Sequence, residues 1–326
     1  LKGSPPPERF PVFAKGANVM TTLTHPITPG QLKQITRMLG DIAESKEVQD
    51  LLSSLDKDSA ERLKGSELAS VVRQFVLEKV TELSTTNQFA DEEMSSSYKY
   101  LSGYKKPKDI TAQCNKLREL FSGVGYCNHD YQAKIEKGEV VLPENTEGWF
   151  AIPNWMKSPD AFGKTYTEAV LKVLDALNKT RNGKFYNYRA GQIDEQHLRQ
   201  SERSKKFFAD LAEAQGNPDI LLVPAQFGIR HRGRSVRRAR AVFLANEFGL
   251  GAFAVGIMLL THPERLNDYN DLWIDCAGDE FDDPYSDVRF DQAPYFNFSG
   301  DEVRFDTVDV DGAYGRYGSS SGFVPQ

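Results

Sequence analysis

Cysteine is scarce in this chain of 326 residues: three occur, Cys114, Cys127 and Cys276. A small, odd number excludes a disulfide-stapled scaffold and fits a reducing compartment, so a cytoplasmic location is the expectation. Cys114, Cys127 and His129 supply three zinc-type ligands where a structural site wants four, so separate burial of the cysteines is expected. Long apolar runs are also missing. The longest spans 248–260, and its 13 residues fall short of the ~20 that a membrane helix needs. It reads as a buried core helix, and no membrane partner is expected. The first 18 residues hold Pro5, Pro6, Pro7 and Pro11 and no apolar stretch. They read as an extended arm rather than a leader. Common catalytic signatures are absent too: there is no Gly-x-Ser-x-Gly elbow, no phosphate-loop glycine-lysine motif and no dinucleotide fingerprint. No catalytic residue and no cofactor is therefore assigned.

What is present is the composition of an ordinary globular protein, with 40% hydrophobic and 26% charged residues. The periodicities predict an α+β fold in three parts: an extended arm over 1–18, a helical domain over 19–125 and an α+β domain over 126–326. Thr28-Pro29-Gly30-Gln31 reads as a helix start, and Leu32, Ile35, Met38, Leu39 and Ile42 follow helical spacing. Further helical patterns reach residue 84 and suggest a bundle. A break over 85–108 interleaves Tyr98, Tyr100 and Tyr104 with lysines, and the tyrosines are expected to pin it to the body. Thr165 and Glu168 form a capping box. Helix is expected over 194–214, and short strands over 140–143, 185–188, 219–224 and 272–276. Two alternating runs flank Ser299-Gly300-Asp301, a hairpin signal. The Gly- and Ser-rich tail, 312–326, reads as a surface loop.

The sharpest chemical feature is the segment 230–240, with six arginines and His231 in eleven residues. From Ser235 the pattern turns helical, with Val236, Ala239, Val242 and Phe243 inward and the arginines opposite. A helix N-terminus already carries partial positive charge, so cations there are disfavoured by ~0.3–1 kcal/mol each unless an anion is near. Free N–H groups, glycines and guanidinium forks together suit phosphate. Arg230, Arg232, Arg234, Ser235, Arg237 and Arg238 are accordingly candidates for binding nucleic acid or another polyphosphate. A net charge of −6 excludes a basic coat over the whole protein but not a local patch.

Seven acids lie between Asp275 and Asp291, against the single base Arg289. This run has three readings. It neutralises the arginines internally, it covers them until a nucleic acid displaces it, or Asp279, Glu280, Asp282 and Asp283 bind a hard cation. Two other functions stand beside nucleic-acid binding: an interaction protein that holds a protein partner through its helical domain, and a metal-dependent enzyme acting on a phosphate ester. Asp219-Ile-Leu-Leu-Val-Pro, the arginine segment and Thr261-His-Pro-Glu-Arg-Leu together resemble a family of bacterial proteins from candidate-phylum genomes. That resemblance covers about the last 180 residues. It implies a bacterial cytosolic protein, but the family has no assigned activity and transfers no site residues.

Overall fold

A computed structural model describes residues 88–325, together with Arg37, Lys46 and Asp50, each of which stands in helix. The extended arm and the rest of the helical run expected over 28–84 lie outside the described residues. Residues 88–325 belong to one unit, which runs from Val71 to Gln326.

Among its described residues this unit holds eleven strands and seven α-helices. β1 (Gly148–Pro153) opens an antiparallel sheet. β4 (Ile220–Gln226) lies beside it, in register from Gly148 against Ala225 to Pro153 against Ile220. β4 is buried along its whole length, so it reads as a continuous apolar run rather than an alternation. β11 (Ser321–Phe323) follows, and β5 (Glu247–Gly249) closes the order β1-β4-β11-β5.

A larger mixed sheet is built on the hairpin of β8 (Gln292–Ser299) and β9 (Glu302–Asp309). Its two-residue turn, Gly300-Asp301, has positive φ at both positions. That geometry matches the twist of the flanking strands, and glycine and aspartate suit it. β2 (Phe185–Asn187) pairs with the outer side of β9. On the other side of β8 lie β6 (Trp273–Asp275) and β7 (Asp279–Phe281). β10 (Tyr317–Ser319) extends β6, and β3 (Leu198–Gln200) extends β7.

The helices fill and cover these sheets. α1 (Ile110–Leu120) starts at Asp109, whose carboxylate accepts from the Thr111 and Ala112 amides. α2 is His129–Glu136 and α3 is the single turn Pro159–Phe162. α4 (Tyr166–Thr180) carries the expected capping box and buries Val170, Val173, Leu174 and Leu177 at helical spacing. α5 is Glu202–Ala214 and α6 is Val236–Ala241. α7 (Ala252–Thr261) is buried on every side, the state of a helix that is apolar all round. Gly256 lets it approach α4 closely, because a Cβ there would overlap Val173 Cγ1.

Several expectations are corrected. Residues 140–143 form no strand, and the helix expected over 194–214 begins only at Glu202, after strand β3. The stretch 247–249, at the start of the long apolar run, is strand, and helix starts at Ala252. α1 packs into the core of the unit through Ile110, Cys114 and Leu117. The tail is the largest change. β10 and β11 insert into the two different sheets, and Ser319, Ser320 and Ser321, where one strand passes into the other, are fully buried. Side chains this small let the chain cross the interior, and the Ser320 amide and hydroxyl are satisfied by the Asp275 carbonyl. Among the described residues no helix is long and apolar enough to cross a membrane.

Candidate functional site

The arginine segment is where the sequence places the chemistry. Ser235 caps α6, its hydroxyl accepting from the Arg238 amide. The helix has only six residues, and its anion is Glu92, from a segment far away in sequence. Ser235 Oγ donates to Glu92 at 2.7 Å, and Arg237 Nε donates to both Glu92 oxygens at 2.8 and 2.9 Å. Arg234 and Arg238 both pair with Glu93. Arg232 donates to the Tyr98 carbonyl, and Arg240 donates to the carbonyls of Ala277 and Asp279. The charge that the helix start requires is thus supplied by Glu92 and Glu93.

Arg230 faces another partner. Its Nε lies 3.1 Å from Oε1 of Glu247, a fully buried carboxylate that also accepts from His231 Nε2 and Ser321 Oγ, both at 2.7 Å, and from the Leu244 amide. Arg234 approaches His231 Nδ1 at 3.1 Å. A guanidinium has donors only, so Nδ1 accepts, the ring proton sits on Nε2 and the imidazole is neutral. Burial lowers the His231 pKa and favours the same state. Burial pushes Glu247 up, but the His231, Arg230 and Ser321 contacts outweigh it and hold the carboxyl at about 2.

The acidic run does not face the arginines of 230–238. Glu280 pairs with Arg199, Asp282 with Arg289, and Asp283 with Arg189. Asp279 turns inward, accepting from the Ala252 amide at the start of α7 at 2.7 Å and from the Tyr166 hydroxyl at 2.7 and 2.9 Å. It stands in for a cap, since Gly251 has no side chain to offer. The four candidate metal ligands are therefore not brought together. Asp279 and Glu280 are neighbours on β7 and point to opposite faces. Among the described residues no group of three or more His, Cys, Asp or Glu stands where it could hold a metal ion. Burial pushes Asp279 up to about 7 and Asp275 up to about 8.

Directly in front of the Tyr166–Asp279 pair is a cavity of about 430 Å³ that sequence reasoning missed. The end of β1, the starts of α4 and α7, and one face of α5 enclose it. Ile152, Phe208, Leu221 and Phe253 make its wall almost wholly apolar, and Trp155 and Met156 form part of its rim. Two neutral polar groups break that wall, Asn154 and Gln200, only 6% and 9% exposed. Lys205 lines the cavity as well, paired with Glu202 at 2.7 Å. The sequence signal was faint: the aromatic, proline-broken stretch 148–155 reads as an ordered loop or edge strand, and it forms both β1 and the rim.

A second surface carries stacked rings. Trp273 lies parallel to Tyr295 at 5.9 Å and edge-on to Tyr317 at 4.8 Å. Arg316 spreads over Tyr269 and Trp273 at 4.4 and 5.0 Å. Tyr98 packs under Arg316, while Tyr100 and Tyr104 turn inward, so this segment is pinned to the body as expected. Comparison of the chain with protein-family models, with curated proteins and with solved structures found no match.

Proposed function

We propose that this protein binds a small, largely apolar molecule with a neutral hydrogen-bonding head group, such as an amide, in the cavity between β1, α4, α5 and α7. The observation that carries this reading is the pair of neutral amide residues Asn154 and Gln200, 6% and 9% exposed, in the lining of an otherwise apolar cavity. A ligand head group that hydrogen-bonds the amides is oriented by them, while Phe208 and Phe253 take its apolar body. The volume lies within the usual range of small-molecule sites. Neutral amides match a neutral head group, and Lys205, whose side chain is 48% exposed, pairs with Glu202. Asp279, shifted toward neutrality behind Tyr166, is the kind of perturbed carboxyl that accompanies such sites. The cavity alone defines no reaction.

The test is calorimetric titration with a panel of N-aryl and N-alkyl amides and hydrocarbons of the same shape. Asn154→Ala and Gln200→Ala should each weaken the amides about 3–10-fold and leave the hydrocarbons within about twofold. Phe253→Trp should fill the cavity and abolish both. Absence of saturable binding, or binding indifferent to Phe253→Trp, overturns the proposal.

A second reading, binding of nucleic acid or polyphosphate, draws support from Arg232 and Arg316 beside the stacked Trp273, Tyr295 and Tyr317, since base stacking plus charge is how single strands are held. Against it, Glu92, Glu93 and Glu247 already occupy most guanidinium forks of 230–238, and phosphate would have to displace them. Binding of a labelled oligonucleotide that falls steeply with salt favours this reading, and no binding at low salt removes it.

A further inference from the structure

The cavity between β1, α4, α5 and α7 has a floor and a mouth. Ile152, Leu221 and Phe253 are buried, as are the two amide residues, and together they form the floor. Met156 is exposed and the Lys205 side chain is half exposed, so these two stand where the cavity meets solvent. α5 brings Lys205, Phe208 and Ala209 to one face, at the spacing i, i+3 and i+4. Among the described residues Lys205 is the one charged residue of the lining, and no carboxylate lines the cavity. The next lysine, Lys206, lies outside the lining and pairs with Asp210. The wall thus carries a single positive charge, placed at its mouth.

That charge is open to exchange. Its partner Glu202 is three residues away on α5, with a side chain 90% exposed. An exposed pair of this kind contributes little to stability and is screened by salt. An ammonium group has three donors, so Lys205 can take a second carboxylate.

We propose that the ligand of this cavity is an anionic amide, with a carboxylate at the end opposite its amide, and that Lys205 holds that carboxylate at the mouth. This rests on the small-molecule reading of the cavity and adds the ligand's charge to it. Three parts of the wall meet three parts of the molecule. Asn154 and Gln200 orient the neutral amide on the floor, Phe208 and Phe253 enclose an apolar middle, and Lys205 pairs with the carboxylate at the edge of solvent. A ligand with an ammonium group in that place meets the lining cation and no lining acid, so the same residue discriminates between charges. Glu202 competes with the ligand for Lys205, and removing its charge strengthens the hold on the anion.

The experiment is calorimetric titration of the full chain with three ligands of one shape: para-acetamidobenzoate, the neutral para-methylacetanilide, and the cation with an aminomethyl group in the para position. At low ionic strength the carboxylate should bind about 2–5-fold more tightly than the neutral amide, and the cation more weakly than either. Raised salt should shrink the difference. Lys205→Met keeps an apolar stem and should erase the carboxylate's advantage while leaving the neutral amide within about twofold. Glu202→Gln should enlarge that advantage. The neutral amide reports in each variant that the cavity is intact. Equal binding of carboxylate and neutral amide by wild type, or an advantage that survives Lys205→Met, overturns the proposal and leaves the cavity reading in place. If none of the three ligands binds, the cavity reading fails and this one with it.

Discussion

Glu247→Gln tests whether the interior around the arginine segment is held by charge. Four donors converge on the Glu247 carboxylate: Arg230 Nε, His231 Nε2, Ser321 Oγ and the Leu244 amide. Glutamine presents one acceptor oxygen and two new donors to that set, so at least one donor is left facing another. It also leaves Arg230, whose side chain is 20% exposed, beside a neutral group. Removing one partner of a buried pair costs about 3–5 kcal/mol. The carboxyl is held at about 2 against an ordinary value of 4.5, the direction expected of a carboxylate that accepts from these donors.

The folded pKa of Glu247 is depressed, so its contribution is complete above about pH 4.5 and is lost as pH falls towards 2. Urea unfolding followed by circular dichroism, repeated from pH 7 to pH 2, measures both quantities. At pH 7 the variant should lose about 3–4 kcal/mol, or roughly 6–15 °C in Tm for a body of this size. Its stability should also fall less steeply than wild type below pH 4.5. A loss under about 1 kcal/mol at pH 7, or the same acid slope in both proteins, refutes the charge network.

Gly256→Ala should destabilise by about 1–2 kcal/mol, the overpacking cost against Val173 less the helix-propensity gain of alanine. Chemical denaturation of Gly256→Ala in a Val173→Ala background should show that cost largely relieved. Asp275 is buried without a partner for its Oδ1 oxygen, and burial raises its carboxyl to about 8. Between its ordinary value and 8 the folded state holds the extra proton, so stability falls as pH rises through that window. Asp275→Asn should flatten the stability profile from pH 5 to pH 8 and make the protein more stable than wild type at pH 8; a profile unchanged by the substitution would count against this assignment.

Local structure was legible wherever neighbours in sequence decide it. The Thr165–Glu168 capping box, the turn to helix from Ser235, the Gly300-Asp301 hairpin and the burial of 252–260 follow from propensities and spacing within a few residues. So does the need for an anion at the arginine segment, which rests on the polarity of the peptide unit. What no local pattern contains is which anion answers that need. The acids of 275–291 are nearer in sequence and more numerous, yet they are engaged by Arg189, Arg199, Arg289 and the cap of α7. Glu92 and Glu93 answer it instead, because the segment 88–100 is laid across α6 by the fold. The tail departs from its expected loop for a related reason. Glycine and serine look like surface loop in isolation, and only packing reveals that two sheets meet where nothing larger fits. The amide-lined cavity is likewise a product of packing, since its wall comes from segments scattered along the chain. The sequence by itself determined that the segment 230–240 must meet negative charge; the tertiary structure alone decided that Glu92, Glu93 and Glu247 supply it.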